Sequence, residues 1–203
     1  MSGETQGQII LISCSIFVNE VNALWEANWR GDHPLRFQSS MLHMHPEQLG
    51  PRLQSLVERE VQAGHRVVLV YGDCCGLMSA MESMPGVVRI RGKNCCEILL
   101  GNEEYRRFSH EGAFFLLPEW AHRWHHIFSA ELGLNQENAT SFMRDMHKKM
   151  VYLDTGIVPV PETTLQACSA YCGLPYEVLP VTLDHLRDAI VEAIQRLETG
   201  GGG

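Results

Sequence analysis

Thiol or imidazole groups stand directly after four strand-like apolar runs of this chain. Cys14 follows the run 8–13 and His43 follows 35–42. Asp73, Cys74 and Cys75 come after 66–72, and Cys95, Cys96 and Glu97 come shortly after 87–91. In an open α/β sheet, side chains just past the carboxyl ends of the strands converge on one crevice, where ligands bind. Thiolate sulfur and imidazole nitrogen are the usual ligands of zinc, and thiolates also hold iron–sulfur clusters, whereas hard ions prefer oxygen. The pattern points to a soft-metal site built from Cys14, His43, Cys74 and Cys95. A fourth protein ligand, His or Glu, would close such a centre, and without one a coordination position stays open. Two other readings stand beside it: free Cys also packs as a small hydrophobe, and a thiolate at a helix start is a nucleophile or redox group. Neighbouring residues point different ways, so one member of each pair, Cys74 or Cys75 and Cys95 or Cys96, is expected to face the site.

Other groups carry weaker signals. His122, His125 and His126 share a helical segment whose apolar stripe is Trp120, Trp124, Ile127 and Phe128, which places the three His on its solvated face. Cys168 and Cys172 stand four apart on a helical stretch, a spacing compatible with a metal but more usual for core filling. Asp154, Thr155 and Gly156 end a strand and read as a turn or as the rim of the crevice. Glu20 reads equally as a carboxylate supporting the site or as an exposed charge.

These groups need a scaffold, and the sequence specifies one. Seven short apolar runs, 8–13, 35–42, 66–72, 87–91, 113–117, 150–154 and 176–181, alternate with stretches of helical period. The helical stretches are 17–29, 46–63, 77–84, 95–100, 102–108, 119–132, 135–149, 162–172 and 183–197. Pro46 suits a first helical turn and Gly64 a helix stop, with Leu49, Leu53, Leu56, Val57 and Val61 as the stripe between them. The alternation predicts an α/β fold, a mostly parallel, doubly wound, Rossmann-like sheet of about seven strands with helices on both faces. Residues 1–199 read as one domain, with a sub-lobe boundary near 157 beside the Pro-rich joint 158–161, and 200–203 as a flexible glycine tail.

Composition narrows the partners. The 203 residues are 45% hydrophobic, and 24 Asp and Glu against 16 Lys and Arg give a net charge of −8, without the basic stripe that a phosphate backbone requires. Nucleic acid is not expected as a partner. The apolar runs are far shorter than the roughly 20 residues of a membrane span. The start of the chain shows no basic segment of a secretory signal, so the seven Cys read as reduced thiols or ligands in a cytoplasmic protein rather than as a disulfide framework.

Three motifs add a resemblance. Tyr71-Gly-Asp-Cys-Cys-Gly76, then Gly92-Lys-Asn-Cys-Cys-Glu97 with Leu99, Leu100 and Gly101, then Glu111-Gly-Ala-Phe-Phe-Leu-Leu117 resemble the signature of a bacterial and archaeal family of unknown function. That signature has a strand followed by D-C-G, a G-x-x-C-x-E element and a G-T-F/Y-x-L-T segment. Cys14 with Glu20, and Leu42-His43 before Pro46-Glu47, extend the likeness over most of residues 8–156. Cys75 and Cys96 depart from the pattern, as do Ala113 and Leu117 in place of two Thr. The resemblance implicates Cys14, His43, Asp73, Cys74, Cys95 and Glu97, with Asp73 and Glu97 as the catalytic carboxylates. Genes of that family are similar in context to corrinoid-dependent methyltransferase clusters, which implies one-carbon chemistry. The expected protein holds zinc, binds a small thiol or methylated substrate, works with a corrinoid partner protein and is compatible with a homo-oligomer. The alternatives are a metal or iron–sulfur carrier without catalysis, and a cysteine nucleophile or thiol redox protein.

Overall fold

Runs of Ile, Val and Leu that are apolar on both faces form strands covered on both sides. The computed structural model describes residues 7–27 and 33–200. Among them, strands form at each of the seven expected runs: β1 (Ile9–Cys14), β2 (Leu35–Gln38), β3 (Arg66–Val70), β4 (Val87–Arg89), β5 (Ala113–Leu116), β6 (Lys149–Asp154) and β7 (Tyr176–Pro180). Every pairing is parallel. The α/β class is as expected, but the strands divide into two sheets, ordered β2-β1-β3-β4 and β5-β6-β7.

Parallel neighbours need long crossovers, which are supplied by helices. These are α1 (Val18–Glu26), α2 (Pro46–Gln62), α3 (Met78–Glu82), α4 (Cys95–His110), α5 (Pro118–Ala121), α6 (Trp124–His126), α7 (Ala139–Met146), α8 (Glu162–Cys172) and α9 (Asp184–Glu198). Pro46 opens α2, and Leu49, Leu53, Leu56 and Val57 are its buried stripe. The break between sheets falls between Arg89 and Ala113, whereas the Pro-rich joint lies within the second half, between β6 and α8. After β7 the chain returns, and α9 packs on β3, β4 and α4 of the first half. Alternation along β6 joins the two halves: Val151 and Leu153 enter the core of the first sheet, while Met150 and Tyr152 enter the core of the second.

Several boundaries differ for local reasons. The second strand stops at Gln38, and a 3-10 turn, Ser40–Met44, follows, with Ser39 Oγ accepting from the Met41 N–H at 3.3 Å. The stretches 95–100 and 102–108 form one element kinked at Gly101, whose φ of 75° and close contact with the His185 ring both exclude a side chain. The stretch 119–132 breaks into α5, α6 and a π-helical turn, Ile127–Glu131. Helix α7 starts four residues later than expected, because Asn135 Oδ1 accepts from the backbone N–H groups of Glu137 and Asn138 and holds a turn there. The last residues expected of the first helix, 28 and 29, lie outside the described residues, as does most of the glycine tail.

Candidate functional site

The first sheet ends its strands on one edge, and each end delivers a sulfur or a ring nitrogen. Cys14 closes β1, and its Sγ lies 3.4 Å from Nε2 of His43, on the turn Ser40–Met44 after β2. Burial pushes the Cys14 thiol well above its ordinary range, and the neighbouring Cys95, Cys74 and Glu119 push it the same way. Burial lowers the pKa of His43. Both shifts favour the neutral form of the group concerned.

Cys74 lies in the loop after β3, and Cys95 opens α4 after β4. Gly72 lets these two loops meet: a Cβ there would fall 2.6 Å from the Asn94 Cα and 2.6 Å from the Lys93 carbonyl oxygen. The Asp73 N–H completes the contact by donating to Lys93 O at 2.8 Å. Burial and the nearby Cys95 push the Cys74 thiol up to about 12. The Cys75 sulfur is turned toward Gly50 of α2.

Helix α4 begins with a built cap. Asn94 Oδ1 accepts from the Glu97 N–H at 3.0 Å, and the Glu97 carboxylate accepts from the Lys93 N–H at 3.3 Å and the Asn102 side chain at 3.1 Å. The Glu97 carboxylate thus serves the helix start, and Asp73 is exposed. At the same terminus the Cys95 thiol is held below its ordinary pKa by a hydrogen bond from Cys96 and by backbone N–H groups, against the effect of burial. Cys95 and Cys96 also line a cavity of about 490 Å³ bounded by Tyr105, Phe115 and His147.

The donors suit a soft metal in kind. In spacing, no group of three or more His, Cys, Asp or Glu able to hold a metal ion is gathered among the described residues. A metal ion would therefore have to draw Cys74 and Cys95 toward the Cys14–His43 pair.

A second set of polar groups adjoins the first, and the sequence left most of it unmarked. Glu20 is fully buried, not an exposed charge, and Oε1 accepts from Thr155 Oγ1 at 2.9 Å. Glu119, next to the end of β5, is 7% exposed and accepts from Ser40 Oγ at 2.8 Å. Tyr71 and Tyr152 are buried with no hydrogen-bond partner for their hydroxyls among the described residues. The strand-end rule that selected the thiols also reaches Glu119 and Thr155. Asp154 makes the plain turn, accepting from the Gly156 N–H at 2.9 Å.

The remaining candidates stay apart from the edge. His122, His125 and His126 are exposed, His126 Nε2 lying 3.2 Å from Glu131 Oε1. Cys168 and Cys172 are buried under the second sheet. No helix among the described residues is long and apolar enough to cross a membrane.

No curated protein and no solved structure matches the chain. The family described as Protein of unknown function (DUF1638) matches residues 37–190, a span that includes His43, Asp73, Cys74, Cys95 and Glu97. With three quarters of its length inside that match, the chain belongs to the DUF1638 family.

Proposed function

We propose that the carboxyl edge of the first sheet is a soft-metal thiolate site, with Cys14, His43, Cys74 and Cys95 as ligands and zinc as the ion, and that the protein acts in methyl transfer linked to a corrinoid partner. The observation that carries the reading is the 3.4 Å contact of Cys14 with His43, with Cys74 and Cys95 close enough to oppose ionisation of the same thiol. Four groups from four strand ends would supply the tetrahedral S and N donors that zinc takes. With the three thiolates as permanent ligands and His43 yielding its position, zinc bound there would take a substrate thiol as its fourth ligand, deprotonate it at neutral pH and so prepare it to accept a methyl group. Gly72 and the Asn94 cap would hold the Cys74 and Cys95 loops together, and Asp73 at the rim would meet the substrate or partner. The methyl-transfer part of the reading comes from the resemblance described above.

Metal analysis of anaerobically purified protein tests this. One zinc per chain in a colourless preparation, lost in Cys14→Ser and Cys74→Ser, is expected. A brown, oxygen-sensitive preparation would replace zinc with an iron–sulfur cluster and favour the carrier alternative. Methyl transfer to a thiol from a methyl-corrinoid protein separates a catalyst from a carrier.

A second reading has its own support: the Cys95 thiol, favoured as thiolate at the start of α4, opens onto the 490 Å³ cavity. In that case Cys95 takes up iodoacetamide fastest, Cys95→Ser abolishes activity, and chelators have no effect.

A further inference from the structure

The walls of the cavity of about 490 Å³ beside Cys95 select a class of ligand. Strand β5 is the outer strand of its sheet, so Phe114 and Phe115, which alternate between its faces, both border the cavity. Phe115 stacks on Tyr105 of α4, with ring centroids 5.6 Å apart and planes 28° from parallel. Phe114 stands tilted against His147 at 5.3 Å. Cys95, Cys96 and Met146 add sulfur to the walls. Aromatic rings and divalent sulfur both attract a further aromatic ring through contacts that a saturated ring lacks. A dry cavity of about 150 Å³ already holds benzene, so this volume takes one or two rings. No Asp, Glu, Lys or Arg among the described residues lines the cavity, and burial pushes His147 toward its neutral form. A charged ligand would lose its hydration here without meeting an opposite charge, so an uncharged one is favoured. One polar group stands ready for it. Asn94, whose Oδ1 accepts from the Glu97 N–H, donates from Nδ2 to the Tyr105 hydroxyl at 2.8 Å. The Tyr105 O–H itself has no acceptor among the described residues and is left to donate to a ligand.

We propose that this cavity binds a small, uncharged aromatic compound bearing a hydrogen-bond acceptor, which packs against the Phe115–Tyr105 pair and accepts from the Tyr105 hydroxyl. The proposal deepens the Cys95 reading, and it rests on that reading's cavity but not on the reactivity of the thiol.

The test is a calorimetric titration of the full chain at neutral pH with acetophenone. Beside it run cyclohexyl methyl ketone, which keeps the carbonyl but lacks the π-system, and benzoate, which keeps the ring but carries a charge. One acetophenone per chain is expected, with the other two compounds at least about tenfold weaker. Phe115→Leu should weaken acetophenone binding about three- to tenfold, and Tyr105→Phe, which spares the stack, about twofold or more. Ser109→Phe, at an exposed position of the lining, should block binding by filling the space, and it serves if Phe115→Leu does not fold. No binding of acetophenone, equal binding of the saturated ketone or of benzoate, or unchanged affinity in the Phe115 and Ser109 variants would overturn the proposal. Fast alkylation of Cys95 without acetophenone binding would strike the proposal alone, whereas acetophenone binding beside an unreactive Cys95 would strike the nucleophile reading alone.

Discussion

Cys14, Cys74 and Cys95 stand at the rim of the first sheet, whereas Cys168 and Cys172 lie in the core beneath the second. The rim sulfurs come from three separate strand ends and meet a ring nitrogen, a half-exposed loop and a cavity. The core sulfurs come from a single helix, and that of Cys168 donates to the Met150 thioether at 3.5 Å. Burial raises the Cys14 thiol at the rim, and a hydrogen bond with Cys172 followed by burial raises Cys168 in the core, so a raised thiol does not mark a site. The difference lies in neighbours: polar groups and a ring nitrogen at the rim, apolar atoms in the core. A fully buried thiol surrounded by hydrocarbon is packing material.

Alkylation should separate the two groups most widely. Under native conditions Cys95 and Cys74 should react with a maleimide at least about 100-fold faster than Cys168 and Cys172, whose exposure requires local unfolding. Mass spectrometry of the labelled peptides measures this, and comparable rates would erase the distinction. Cys172→Ser should destabilise the fold by about 1–3 kcal/mol, because it puts an unpaired hydroxyl into the core, while Cys75→Ser should stay within about 0.5 kcal/mol. Urea melts decide between them. Gly72→Ala should cost about 1–3 kcal/mol by pushing the β3 and β4 loops apart, and it should lower metal content without touching a ligand.

The buried carboxyl beside the rim gives a pH signature. Burial, with a smaller push from Glu119, raises the Glu20 pKa above its ordinary value. The folded protein thus favours the protonated form, so the favourable contribution is present below the ordinary carboxyl pKa and lost as pH rises through the raised one. Glu20→Gln should remove that loss, raising Tm at neutral pH and leaving it nearly unchanged in acid. The smallest effect is expected for His126→Ala, whose exposed partner contact should be worth at most about 0.5 kcal/mol and whose loss should leave metal content intact.

The strands were legible because each, from Ile9–Cys14 to Tyr176–Pro180, is a run of apolar residues with a local signal. The kink at Gly101 and the stop after α2 were legible for the same reason, since glycine marks backbone that other residues resist. The helix breaks within 119–132 were not, because apolar period alone continues through them. The sequence left Glu20 open between a supporting carboxylate and an exposed charge, because only Thr155, 135 residues away, decides its burial by donating to it.

Local pattern determined that this chain makes parallel strands joined by helices, and that sulfur and imidazole follow four of the strands. Tertiary structure decided that the strands form two sheets, that Glu97 caps α4, and that Cys14 meets His43. Strand runs and helix caps arise from neighbours in the chain, whereas sheet partners and buried charge pairs depend on which distant segments exclude water together. That choice minimises the free energy of the whole molecule and leaves no mark within any one segment.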